Sequence, residues 1–171
     1  MDAFLDAFSW TVGVEGGFDN SARDPGNWTG GAIGEGILKG TKYGISAASY
    51  PNLNIASLTL DQAEAIYRQD YWAKIPAYLS YWISRAVFDG AVNHGVERSI
   101  ILLQTAIKTT PDGVFGPESQ AAYQAMDEID IYFSYLNQRL ILYRGLSDFT
   151  YFAAGWFGRL LALAKLYAGR E

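Results

Sequence analysis

V-E-G-G-F-D-N-S-A-R-D-P-G-N-W-T-G-G-A-I-G-E-G-I-L-K-G-T-K-Y-G-I-S, residues 14 to 46, is the stretch on which the rest of the chain turns. Upstream of it, residues 2 to 14 place Phe4, Leu5, Phe8 and Val12 at spacings of three and four, the pattern of an amphipathic helix. Gly16-Gly17 is its expected stop, because glycine takes positive φ freely. Glu15 then stands at a helix C-terminus, where the partial negative charge opposes ionisation and raises a carboxyl pKa. A solvated last-turn glutamate is the plainer alternative. The loop from 18 to 42 is dense in glycine and carries Asp19, Asp24, Trp28, Glu35 and Thr41. Asp24-Pro25-Gly26-Asn27 has the chemistry of a turn, with Asp first and Pro second. The alternation from Glu35 to Lys39 predicts a short β-hairpin. Long irregular segments are costly unless they bind or catalyse, so function is expected here. A flexible surface loop is the alternative, and Trp28, Ile33, Ile37 and Leu38 argue against it.

Beyond this loop the chain reads as helix and short turn. Thr59 is an expected N-cap with Gln62 as its capping-box partner, opening a helix through Ala63, Ile66 and Tyr67 to Trp72 that Pro76 ends. Further helices are predicted over 79–93, 96–108, 117–126, 130–144 and 149–167. Pro117 opens one of them. Gly90 and Ala91 allow a neighbouring helix to come close, and Phe133, Leu136, Leu140 and Tyr143 are expected to face inward. The fold is therefore mainly α, with a Gly-rich loop or short β-hairpin after the first helix. No repeat, low-complexity tract or interdomain linker interrupts it.

Composition narrows the function. With 171 residues the chain is long enough for one domain with a real core, and 12 Tyr, 9 Phe and 5 Trp exclude disorder. Cysteine is absent, so there is neither a disulfide framework nor thiol chemistry. A net charge of −5 argues against nucleic acid as the partner, since that binding runs on basic patches. Met1-Asp2-Ala3-Phe4-Leu5-Asp6 lacks a basic n-region, so no secretory signal is expected, and no apolar run reaches the roughly 18 residues of a membrane span.

Most catalytic devices fail on residue type. One histidine, His94, and no cysteine cannot build a usual zinc site, and His94 fits a helix end or partly buried position better than a ligand. Asp112-Gly113 lacks calcium-loop spacing. No nucleophile elbow and no phosphate-binding glycine pattern occurs, so no metal and no cofactor is expected. Carboxylates remain. A helix-held acid, Glu15, facing a loop carboxylate, Asp24, is an arrangement suited to glycoside hydrolysis: one group donates a proton to the leaving oxygen while the other stays ionised. Asp24 can stay ionised by accepting backbone amides. Trp28 and Tyr43 offer flat apolar faces for sugar rings. Taken alone, two acids in such a loop are equally well surface groups.

The runs V-E-G-G-F-D-N (14–20), D-P-G-N-W-T-G-G (24–31) and L-K-G-T-K-Y-G-I-S (38–46) resemble the bacterial and phage muramidases of glycoside hydrolase family 108. Further blocks follow in order: L-T-L-D-Q-A-E-A-I-Y-R-Q-D-Y-W (58–72), V-F-D-G-A-V-N-H-G (87–95), L-L-Q-T-A-I (102–107) and D-G-V-F-G-P (112–117). The resemblance covers almost the whole chain. It implies a lysozyme-like helical fold that cleaves the β-1,4 bond between N-acetylmuramic acid and N-acetylglucosamine in peptidoglycan. In such families the Glu of E-G-G-[YF] is the general acid, a position that falls here on Glu15. Asp24 is taken as the second catalytic group. Related enzymes place a Thr beside the Gly-Ile segment to orient water, and Thr41 matches it; closing a turn is its alternative role. Asn93 resembles the Asn of the family's A-V-N-x-G and borders the cleft on that basis, or else is a buried amide tying two helices. From Gln104 the chain resembles the family's peptidoglycan-binding region, which divides it into a catalytic region, 1–103, and a C-terminal region, 104–171, packed together as one compact unit. D-G-V-F-G-P can equally do no more than turn the chain between helices.

The resulting expectation is a monomeric, endolysin-like peptidoglycan hydrolase whose partner is the glycan strand, with neither nucleic acid nor stable membrane insertion. It would stay in the cytoplasm until a separate membrane-lesion protein let it reach the wall and lyse the host. Two rivals are a non-catalytic peptidoglycan-binding or secretion-associated protein, and a chitinase-like hydrolase on the same fold. The acidic balance is at odds with an anionic wall, because it weakens long-range attraction.

Overall fold

The computed structural model describes residues 2–13 and 17–170. The chain forms two compact units, Met1–Asp70 and Tyr71–Glu171. Seven α-helices and one two-stranded antiparallel sheet make up the regular structure of the described residues, so the protein is mainly α and lysozyme-like. None of these helices is long and apolar enough to cross a membrane.

In the first unit, α1 spans Ala3–Thr11 and is capped by the Asp2 carboxylate, which accepts the Phe4 N–H at 2.9 Å. It buries Phe4, Ala7, Phe8 and Thr11, while Leu5, expected inside, is 40% exposed. The helix also stops earlier than the sequence suggests. Val12 is the C-cap and Gly13, at φ +78°, turns the chain out of the helix, so the stop is Gly13 and not Gly16-Gly17. The helix-end argument for a raised Glu15 pKa needed a helix reaching residue 14, and it loses that footing. Glu15 itself lies outside the described residues. On α2 (Leu60–Asp70) the expected capping box forms: Thr59 N–H donates to Gln62 Oε1 at 3.0 Å and Gln62 N–H to Thr59 Oγ1 at 3.3 Å. The helix ends at Asp70, two residues short of the expected Trp72. Tyr67 on its inner face packs against Phe8, ring centroids 5.4 Å apart.

The hairpin exists, but later in the chain than expected. It pairs β1 (Thr41–Lys42) with β2 (Ile45–Ser46), in the register Thr41 opposite Ser46 and Lys42 opposite Ile45. Its two-residue turn is Tyr43-Gly44, with φ of +52° and +74°, the positive pair that a type I′ turn requires. A Cβ at Gly44 would come within 2.6 Å of the Tyr67 hydroxyl, so only glycine fits there. Residues 35 to 39 instead fold back onto 27 to 30. Thr29 N–H donates to Ile37 O at 3.0 Å and Lys39 N–H to Asn27 O at 2.9 Å.

The second unit is built on α3 (Tyr81–His94), which is buried without interruption from Ile83 to Ala91. Around it stand α4 (Val96–Ala106), α5 (Pro117–Gln124), α6 (Glu128–Arg144) and α7 (Phe149–Ala168). The division after residue 103 drawn from the sequence would fall inside α4, whereas the compact units meet between Asp70 and Tyr71. Gly90 has the packing role expected of it. A Cβ there would overlap the Tyr135 hydroxyl and sit 2.8 Å from Ser99 Oγ. Ser99 Oγ donates to Val87 O at 2.8 Å and lies 2.7 Å from the Tyr135 hydroxyl, tying α3, α4 and α6 together. On α6 the inward residues are Ile131, Tyr132, Tyr135, Leu136, Arg139 and Tyr143, while Phe133, expected inside, is 43% exposed. The turn at 112–117 is wrapped around buried Gln104, whose amide donates to Asp112 Oδ1 at 2.7 Å and accepts the Gly113 N–H at 2.8 Å.

At the centre of this unit is a carboxylate. Asp89 and Arg139 are fully buried, and Arg139 Nη1 lies 2.6 Å from Asp89 Oδ2. Arg159 on α7 approaches the other oxygen through Nε at 2.7 Å and Nη2 at 2.5 Å. Burial opposes the charge on Arg139, but Asp89, with the Tyr135 and Tyr143 hydroxyls, outweighs it and raises its pKa. Replacing Arg139 by Ala leaves Asp89 Oδ2 buried without its cation, with Arg159 still on the other oxygen, and unfolding free energy should fall by about 3–5 kcal/mol in urea denaturation. A double change to Asp89→Leu and Arg139→Met should recover most of that loss; a single-variant cost under about 1 kcal/mol would mean the pair is not what the unit depends on.

Candidate functional site

Four of the sequence-proposed residues, Asp24, Trp28, Thr41 and Tyr43, lie on one loop and hairpin of the first unit, and a residue the sequence analysis passed over holds the loop together. Asn27 is completely buried. Its backbone N–H donates to Asp24 O at 3.2 Å, and its carbonyl accepts Lys39 N–H at 2.9 Å and Gly40 N–H at 3.1 Å. Its amide nitrogen donates to Asp19 Oδ2 at 3.0 Å and Ser21 O at 3.1 Å. Both partners can only accept, which fixes the amide orientation. Asn27 Oδ1 must then accept, and the Thr41 hydroxyl donates to it at 2.7 Å. Asp19 and Thr41 also exchange two backbone hydrogen bonds, at 2.9 and 2.8 Å. Thr41 is thus fastened twice, and its one hydroxyl proton is committed. It can accept a hydrogen bond from a water but has none left to donate.

Asp24 is exposed and its Oδ1 accepts the Gly26 N–H at 2.8 Å. The same contact caps the short 3₁₀ turn Pro25–Asn27. Trp28 is half-buried. Its indole N–H donates to Ala22 O at 3.1 Å, and its backbone bridges Leu38. Tyr43 stands at the hairpin tip with its carbonyl accepting the Tyr67 hydroxyl at 3.1 Å and Lys42 Nζ 5.4 Å from its ring centroid. The loop is therefore a braced platform offering a carboxylate, two aromatic side chains and a hydroxyl that can only accept.

Asn93 belongs to the second unit. It is exposed, not buried, and its amide donates to Asp89 O at 2.7 Å, one turn back on its own helix. It does not tie two helices together. With His94, Arg98, Tyr143 and Trp156 it lines a cleft of about 340 Å³, in which the Tyr143 and Trp156 rings stack at 4.9 Å. Burial pushes the His94 imidazole from 6.5 down to about 3, and the Arg139 guanidinium adds to that. His94 is a neutral, partly buried residue at a helix end.

The residues that sequence reasoning missed left one signal. Asp89 is an acid inside V-F-D-G-A-V, a run otherwise apolar or small, and an acid so placed demands a partner. Nothing local marks Arg139, Arg159 or Asn27 as that kind of residue.

The model of the family described as Glycosyl hydrolase 108 matches residues 8–95. The structure of Brucella abortus SagA is similar to this chain, with a TM-score of 0.75 and 26% identity over 98% of this chain and 96% of that one. No curated protein matches.

Asn27→Ala removes the side-chain hub of the loop. It should cost about 1–3 kcal/mol of stability and speed hydrogen exchange at the Thr41 amide. Unchanged stability and exchange would mean that the glycine turns alone hold the loop. For His94 the sign follows from its lowered pKa. Between pH 6.5 and about 3 the folded protein binds fewer protons than the unfolded chain at this group, so its contribution to stability is intact above pH 6.5 and is lost as pH falls. His94→Gln should flatten the stability curve from pH 6.5 to 5, where the slope from one such group approaches about 1.4 kcal/mol per pH unit.

Proposed function

The chain belongs to glycosyl hydrolase family 108, and from that premise we propose that it is a peptidoglycan hydrolase that cleaves the β-1,4 bond between N-acetylmuramic acid and N-acetylglucosamine. The observation that carries this reading is the extent of the family match: residues 8–95 include Glu15, Asp24, Trp28, Thr41, Tyr43 and Asn93. Glu15, in E-G-G-F, is the general acid that protonates the leaving glycosidic oxygen. Asp24 is the ionised partner that stabilises the oxocarbenium-like transition state or activates water. Its hydrogen bond from the Gly26 N–H fixes one carboxylate oxygen and leaves the other for the substrate. Thr41 positions the attacking water by accepting a hydrogen bond from it, since its own proton is directed at Asn27. Trp28 and Tyr43 receive the faces of sugar rings. Asn93 keeps its side-chain oxygen and one amide hydrogen for an acetamido group.

The same reading makes the protein a monomeric wall-degrading enzyme of the endolysin type, with the helices after residue 104 assisting its hold on the wall. The test is clearing of purified peptidoglycan by the wild type beside Glu15→Gln, with circular dichroism on both. Activity should fall by about 10² to 10⁴ in a folded variant, and new reducing ends should be muramic acid. Near-normal turnover would remove Glu15 from the mechanism. Asp24→Asn should lose more than about tenfold; a smaller effect would move the second role to another carboxylate.

A further inference from the structure

Among the described residues of the first unit, two neighbouring clefts share lining residues. One, of about 520 Å³, is lined in part by Phe18, Asn20, Lys39, Asn52 and Asn54. The other, of about 330 Å³, shares Leu53 and Asn54 with it and continues past Gln62 to Ile66 on α2. Leu53 and Asn54 line both, so the two clefts adjoin and form one composite groove. Asp24 and Thr41 line neither part.

Three features set this groove apart. First, among the described residues no Asp or Glu lines it, although the chain has 18 acidic residues against 13 basic ones. Its one charged side chain is Lys39, whose Nζ is pinned 2.6 Å from Pro51 O and keeps two further protons to donate. Second, the carboxamides of Asn20, Asn52 and Asn54 make no hydrogen bond among the described residues. Third, Phe18 is 44% exposed yet held in place, its ring lying over Gly40 so closely that a Cβ there would come within 2.6 Å of it. A braced aromatic face beside unengaged carboxamides suits a sugar ring, which stacks its C–H face and presents hydroxyl and acetamido groups to the amides. Two adjoining clefts suit successive units of a linear polymer. A lysine without neighbouring acids suits carboxylates on that polymer.

We propose that this groove is a second, non-catalytic binding site for a glycan strand of β-1,4-linked N-acetylated sugars that bears carboxylates. The proposal rests on the peptidoglycan reading, since the lactyl and stem-peptide carboxylates of that polymer are the charges it would meet. It also accounts for an acidic protein acting on an anionic wall. Charges are screened beyond about 8 Å at physiological ionic strength, so the sign of the groove lining outweighs the net charge of the chain at contact.

The test is co-sedimentation of the full chain, in a Glu15→Gln background that prevents digestion, with insoluble peptidoglycan sacculi and separately with chitin, which has the same linkage and no carboxylate. The double change Asn52→Asp and Asn54→Asp keeps shape and adds two negative charges. Sacculus affinity should fall roughly tenfold or more, and chitin affinity by less. Asn20→Asp, at an exposed position, should weaken sacculus binding in the same direction if the double variant proves misfolded by circular dichroism. Folded variants that bind sacculi as tightly as the parent would overturn the groove as a binding site. Equal losses on sacculi and chitin would overturn its preference for carboxylates. A parent protein that binds neither polymer would sink the peptidoglycan reading itself.

Discussion

A single buried carboxylate, Asp89, disciplines the second unit. Taking an ion out of water costs several kcal/mol, and only close, well-directed partners offset that. Asp89 has them on two different helices, Arg139 on α6 and Arg159 on α7. Any sliding or rotation of these helices against α3 would separate the charges and leave one of them buried alone. The pairing therefore selects one arrangement of three helices whose apolar faces, rich in Tyr and Leu, would tolerate several. It also explains its neighbour. His94 is buried close to the Arg139 guanidinium, and a second positive charge there is disfavoured, so the imidazole stays neutral.

The first unit is held differently. Its functional loop has little apolar burial, and it is rigid because its backbone is paired and its hub, Asn27, satisfies donors and acceptors on Asp19, Ser21, Asp24, Lys39, Gly40 and Thr41. A buried amide with every partner in place is stiff, since each lost hydrogen bond would leave a desolvated polar group. The loop backbone is thus fixed while the Asp24 side chain above it stays exposed. Thr41 shows the consequence most clearly. Its hydroxyl cannot swing freely, so its chemistry is limited to accepting a hydrogen bond.

Family membership and loop geometry address different halves of the functional question. Membership makes the chain a glycoside hydrolase. The loop shows which groups a fixed frame holds: a carboxylate with one oxygen on a backbone amide, and the aromatic side chains of Trp28 and Tyr43. The acidic balance of the chain looks unfavourable for a wall enzyme only when it is averaged over the whole surface. Charge acts over short distances in salt, and the distribution matters more than the sum.

The helices were legible in the sequence because their signals are local. Spacings of three and four, the Thr59–Gln62 box, Pro117 at a helix start and the Asp24-Pro25 turn each involve residues within one or two turns of each other. The ordered motifs likewise pointed to the family and to Asp24, Trp28, Thr41 and Tyr43 as neighbours on one loop. What the sequence could not show was any pairing across long separations. Asp89 and Arg159 are 70 residues apart; the sequence around Asp89 shows that it needs a partner, but nothing in it names the cation. Asn27 reads as one more turn residue, and Phe133 as one more core aromatic. Periodicity reports that a residue lies on a stripe, but whether the stripe meets a neighbour or water depends on how the helices pack. The hairpin slipped from 35–39 to 41–46 for the same reason: its turn lies where Tyr67, brought in by another helix, passes close beneath Gly44. Sequence alone determined the elements and the family; tertiary structure decided which buried polar groups found partners, because those partners come from elsewhere in the chain.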